Sequence, residues 1–176
     1  MDSQVLQGGD LVVTLEGGVK TGSLRYFDAD GGFASGMAAV LGGPIPAPLA
    51  AARHEFGDGS DLVLAWRSPT ETLIITGNEV RLAEIERRAA GRTDVCFVDQ
   101  TGGIVVIQVA GGRTHEMLAR LGSSAAIPRP GRAHTTRFAE LGVTALCLRS
   151  GEILLLVERV HARHLMSWIR ETLADF

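Results

Sequence analysis

The chain has 176 residues, 45% of them apolar and 21% charged, which is enough to bury one core and excludes a disordered polymer. Its net charge is -3, its arginines and acids are interspersed, and it has one tyrosine and two tryptophans, so nucleic acid is not an expected partner. The opening "MDSQVLQGGD" has neither a basic n-region nor an apolar h-region, and the cytoplasm is the expected compartment.

Residues 1–22 hold five glycines around one strand, "DLVVTLE", and read as a Gly-rich N-terminal arm outside the domain, with apolar side chains available to a partner. From Ser23 the expected order is strand "SLRYF", a helix over 32–41, a Pro-rich loop, strands "RHEF", "DLVLAW" and "TLIIT", and a helix over 79–90. The uncharged stretch from Phe33 to Ala52 is broken by Pro44, Pro46 and Pro48, so a helix and loop are expected there rather than a membrane span. From Asp94 follow strands "VCFVD" and "IVVIQVA", a helix over 113–121, and a loop with Pro128 and Pro130. Strands "HTTRF", "VTALCL" and "ILLLV" then precede a closing helix over 160–173, its apolar stripe read as Val160, Leu165, Ile169 and Leu173 with Trp168 beside it.

The two series match element for element, apart from an extra strand opening the second. Arg67-Ser68 pairs with Arg149-Ser150, and Leu73-Ile74-Ile75 with Leu154-Leu155-Leu156. The expected fold class is therefore α+β, with duplicated βαβββα units related by a pseudo-two-fold axis. One domain is expected over residues 23–176, with halves at about 23–92 and 93–176.

Chemistry-bearing patterns are sparse. No GxGxxG or GxxxxGK[ST] motif is present, and neither Ser68 nor Ser150 lies in a GxSxG elbow. His161 and His164 are spaced as two metal ligands on one helix, but no third ligand follows, and an exposed helix face is the expected role. Cys96 and Cys147 lie in apolar runs and are expected as small buried thiols rather than as a disulfide. In "VDQTGG" Asp99 and Thr101 fit either an Asx-type turn or a ligand contact. Arg149 and Glu152, like Arg67 and Glu71, flank a hairpin tip and fit either a register-fixing charge pair or a binding role.

Two long segments, "FVDQTGGIVVIQVAGGRTHEMLARL" and "PRPGRAHTTRFAELGVTALCLRSGEILLLVERVHARHLMSWIRETL", together with "LAWRSPTETLII" in the first half, resemble the gamma subunit of heterotetrameric sarcosine oxidase. That family is similar in fold to the folate-binding domain of aminomethyltransferases. The resemblance implies a non-catalytic gamma-type subunit, partnered by alpha- and beta-type subunits, in a flavoenzyme complex. Such a complex demethylates sarcosine to glycine and passes the one-carbon unit to tetrahydrofolate. Flavin and NAD would then belong to the partner subunits, and no catalytic residue, metal or cofactor is expected in this chain. Tetrahydrofolate is the exception to consider, with Asp99, Thr101, Arg149 and Glu152 as candidate contacts. The hairpin loop cut to Ser150-Gly151-Glu152, and "ARLGSS" in place of a Lys-Gly-Cys stretch, depart from the folate-binding relatives. The alternative reading is a stand-alone folate or one-carbon binding protein, and a homo-oligomer is a further expectation for the isolated chain.

Overall fold

The computed structural model describes residues 3–176; Met1 and Asp2 of the expected arm lie outside the described residues. In chain order the elements begin with β1 (Gln4–Gly8), β2 (Leu11–Leu15), β3 (Lys20–Tyr26), α1 (Gly32–Leu41), β4 (Ala51–Glu55), β5 (Asp61–Ser68), β6 (Glu71–Thr76) and α2 (Glu79–Ala89). They continue with β7 (Val95–Asp99), β8 (Ile104–Ala110), α3 (Thr114–Leu121), a 3-10 turn at Ser124–Ala126, β9 (Arg132–Phe138), β10 (Leu141–Arg149), β11 (Glu152–Glu158) and α4 (Arg159–Leu173). The result is a mixed α/β architecture of two antiparallel sheets and four helices.

The chain divides into two compact units. A contiguous unit is Val19–Gly102, and a split unit joins the residues up to Gly18 to Gly103–Phe176.

The contiguous unit holds a five-stranded sheet in the order β4-β5-β6-β3-β7. Leu24, Leu62, Leu64 and Ile74 alternate onto one face of it and form a core with Phe33 and Met37 of α1 and Leu82 and Ile85 of α2. Tyr26 stacks on Phe33 with ring centroids 5.0 Å apart, and its hydroxyl lies 2.8 Å from Thr72 Oγ1. Burial pushes the Tyr26 phenol above its ordinary range. Helix α2 starts where Asn78 accepts hydrogen bonds from the Val80 and Arg81 amides, and it ends with Arg87 and Arg88 in its last turn, where a helix favours cations.

The split unit holds a six-stranded sheet in the order β1-β2-β8-β11-β10-β9. Its helix-facing side contributes Leu11, Val13, Ile107, Val109, Leu155 and Val157 to a core closed by α3 and α4. The buried stripe of α4 is Ala162, Leu165, Met166, Ile169 and Leu173, spaced three and four residues apart. Val160 is instead 78% exposed and Trp168 48% exposed. The step from Val160 to Leu165 is five residues, which leaves Val160 about 140° from the stripe.

Two expectations about the strands are corrected. Residues 1–22, expected as an arm outside the domain, supply β1, β2 and the start of β3; β2 pairs with β8, and Leu11 and Val13 are fully buried. Strand β7, expected to open the second half, pairs with β3 in the contiguous unit. Alternating apolar residues reveal that a strand exists, whereas its partner is set by tertiary packing far along the chain. Cys96 is a third correction: β7 is an edge strand, and this thiol is exposed, while Cys147 is buried.

No helix among the described residues is long and apolar enough to cross a membrane.

Candidate functional site

The two hairpins β5–β6 and β10–β11 close alike. Pro69 and Thr70 join the first pair, Ser150 and Gly151 the second, and each register slips by one residue before the turn. The slip sets Ser68 opposite Glu71 and Arg149 opposite Glu152. Arg67 and Leu148 are thus the bulged residues, so the two Arg-Ser pairs matched in sequence are one position out of step in space.

Each second strand opens with a glutamate on the face away from the helices. The Glu71 side chain is 14% exposed and that of Glu152 5%. Buried carboxylates need partners, and both draw them from equivalent places. Glu71 lies opposite Arg25 of β3 and accepts a hydrogen bond from the Ser23 hydroxyl, two residues back on that strand. Glu152 lies opposite Ala110 of β8 and accepts one from Gln108 Nε2 at 2.8 Å, again two residues back.

The arginines then diverge. Arg67 Nη1 reaches Glu71 at 3.3 Å and the Arg25 Nε lies 3.5 Å away, so two guanidinium groups close around one carboxylate. Arg67 is 33% exposed. Arg149 pairs with Glu152 through Nε, and its side chain is 77% exposed. Among the described residues no hydrogen bond or ion pair of its two Nη groups is found beside that Nε contact.

A cleft opens at each hairpin end. The one in the contiguous unit is about 500 Å³, and Glu71, Arg25, Arg92, Asp94 and the 88% exposed Phe27 contribute to it. The one in the split unit is about 1030 Å³, and it gathers Arg149, Glu152, Arg129 and His115 with apolar wall from Ile127 and Pro128. Buried beside it, Cys147 Sγ donates to the Arg149 carbonyl at 3.1 Å. Burial, and then the Glu152 charge, push this thiol above its ordinary 9.0.

The four residues singled out in the sequence thus separate into two places. Asp99 Oδ1 accepts from the Thr101 amide at 2.7 Å, and Thr101 Oγ1 bonds both the amide and the carbonyl of Thr21, at 3.1 and 3.2 Å. That is an Asx turn tying the end of β7 to β3 within the contiguous unit. Arg149 and Glu152 meet in the split unit. Gln108, Arg129 and His115 were not singled out, although Gln108 is the one polar side chain in the run "IVVIQVA", which is a legible sign of a special role. His161 and His164 are exposed on α4, His164 Nε2 accepting from Trp168 Nε1 at 3.2 Å, and no cluster of three metal-ligating side chains occurs among the described residues.

Thiol chemistry checks this geometry. In the native protein a disulfide reagent is expected to modify Cys96 and spare Cys147, which should react only on unfolding. Because the folded-state value of Cys147 is raised, its contribution to stability is complete below about pH 9 and is lost as pH climbs above that. Two equally reactive thiols at neutral pH would contradict the burial of Cys147.

No family model matches the sequence, and no curated protein matches it. Solved structures do. A chain of the heterotetrameric sarcosine oxidase from Corynebacterium sp. U-96, in complex with pyrrole 2-carboxylate, superposes with a TM-score of 0.79 at 18% identity, covering 94% of this chain and 85% of that one. The glycine cleavage system aminomethyltransferase T from Bartonella henselae gives a TM-score of 0.62 at 13% identity, over 86% of this chain and 43% of that one. A structure described as a C-terminal regulatory domain of aspartate kinase, from Porphyromonas gingivalis W83, gives 0.52 at 10% identity, over 93% and 96%. At these identities the likeness is one of fold, that of a sarcosine oxidase chain and of part of an aminomethyltransferase.

Proposed function

We propose that this chain is a non-catalytic gamma-type subunit of a cytoplasmic, heterotetrameric sarcosine oxidase-like flavoenzyme, docked on alpha- and beta-type subunits that carry the flavin and NAD. The observation that carries this reading is the near end-to-end match to one chain of such an oxidase, against a match to less than half of the aminomethyltransferase. The same reading takes the two units as duplicated copies. Supporting this, the strand orders β4-β5-β6-β3 and β9-β10-β11-β8 correspond, and so do the bulged hairpins with their buried glutamates.

Co-expression with the two large flavin subunits of such an oxidase tests the assignment. This chain should co-elute with them, and when purified alone it should be colourless and without amine oxidase activity. A stoichiometric flavin band in the pure chain, or large subunits that assemble fully while excluding it, would overturn the assignment. The aminomethyltransferase likeness favours a second reading, a stand-alone folate or one-carbon binder with contacts at Arg149 and Glu152 in the split unit or at Asp99 and Thr101 in the contiguous one. Calorimetric titration with a tetrahydrofolate derivative separates the two, since the subunit reading expects no micromolar affinity.

A further inference from the structure

We infer that the split-unit cleft at the β10–β11 turn is a receptor for a small organic carboxylate, with Arg149 as the residue that grips it. Two features of the cleft lead here. The first is how Arg149 is held. Glu152 is 4% exposed and is itself fixed by Gln108, so the carboxylate is a rigid anchor, and it takes only the Nε of the guanidinium. The Nη pair, which forms a bidentate edge for a carboxylate, is left without a partner on a side chain held at Nε and 77% exposed. Holding a long side chain in place before binding removes much of the entropy cost that an exposed arginine would otherwise bring to an ion pair. The β5–β6 hairpin differs: the bulge moves its arginine one position, Arg67 turns in on Glu71 through Nη1, and Arg25 shares the same carboxylate.

The second feature is the composition of the cleft. Glu152 is neutralised by Arg149, and the remaining formal charge is that of Arg129, exposed in the Pro128–Pro130 loop with no ion pair among the described residues. Counting the lining residues, the cleft carries one formal positive charge, with the Asp10 carboxylate at its edge on the Gly112 amide, while the buried Ile127 and Ile153 and the flanking prolines give it apolar wall. A volume of about 1030 Å³ at an open cleft admits a ligand with a body as well as a charge. Inorganic phosphate would satisfy the arginines and leave that wall wet. An acid with an apolar body satisfies both.

Benzoate is a suitable probe. Titrated into the ¹⁵N-labelled full chain, it should give saturable amide shifts centred on Gly111, Arg149 and Gly151, with a Kd on the order of 1 mM for so small a ligand. R149Q should weaken binding by at least about tenfold, the ratio expected for loss of a hydrogen bond to a charged group. Because R149Q leaves the Glu152 carboxylate without its cation, the neutral pair R149Q/E152Q is measured beside it and should lose binding equally, with thermal melting confirming that each variant is folded. R129Q should weaken binding less, and R25Q, in the other cleft, should leave it unchanged. Absence of saturable shifts, equal affinity in a folded R149Q/E152Q, or inorganic phosphate binding as tightly as benzoate would each overturn the inference. The chain is titrated alone, so the outcome is independent of whether it docks on larger subunits.

Discussion

Deleting residues 1–18 is expected to unfold the split unit. Leu11 and Val13 are fully buried and Leu15 is 4% exposed, and burying a side chain of this size is worth about 1.5–3 kcal/mol. Three of them amount to a large part of the roughly 5–15 kcal/mol that holds a typical domain together. The deletion also strips β8 of one neighbour along Val12–Leu15 and leaves its edge open. The two tryptophans report separately, Trp66 in β5 of the contiguous unit and Trp168 in α4 of the split unit. Fluorescence of a Trp66→Phe background should show Trp168 losing its cooperative transition in the truncated chain. A truncated chain that melts as the full one does would refute the role given to β2.

Replacing Gly111 by Ala should cost about 3 kcal/mol or more, far beyond what an ordinary glycine substitution at a turn costs. Gly111 sits at φ +138°, and a Cβ there would come within 2.5 Å of the Asp10 carbonyl oxygen, a backbone atom that cannot swing aside. Its amide donates to the Gly151 carbonyl at 3.0 Å, and its carbonyl accepts from Thr114 Oγ1 at 2.9 Å, so a shift there is passed to both the α3 start and the β10–β11 turn. Gly131 is the control: it has φ +76° and nothing within 4 Å of its would-be Cβ. Gly131→Ala should therefore lose only the left-handed backbone penalty, about 1–2 kcal/mol. Urea midpoints at unchanged slope measure both. Equal losses at the two positions would mean that the contact with Asp10 is not tight.

Most elements were readable because their side chains are periodic. The segments "IVVIQVA" and "VCFVD" and the helix over 32–41 fall on β8, β7 and α1 residue for residue. Strand β1 was missed: in "QVLQG" only Leu6 packs on the core and Val5 is 55% exposed, so there is no alternation to detect. The pairing of β2 with β8 and of β7 with β3 was illegible for a different reason, since nothing local to a strand encodes a partner so far along the chain. Of the site, the acidic and basic residues at the hairpin tips were visible. Their unequal exposure was not, because one bulged residue shifts the arginine at the tip by a position, leaving Arg149 far more open than Arg67 although each pairs with its glutamate. The Asp99 turn was one of two readings that the sequence allowed, and the hydrogen bond to the Thr101 amide is the local geometry of that turn.

The chain passes from the split unit to the contiguous unit after Gly18 and returns after Gly102, and this fixes an order of events during synthesis. Every strand of the contiguous sheet has left the ribosome once Asp99 has emerged, so that unit can fold while the rest is still being made. Strand β2 must wait for β8, whose Val109 pairs with Val13 roughly a hundred residues later in the sequence. At about 5–20 residues per second that delay is on the order of five to twenty seconds. Over that interval "LVVTL" is an apolar, unpaired edge whose available protection is the local turn to β1. Strands β1 and β2 would therefore be the segment a chaperone would shield longest.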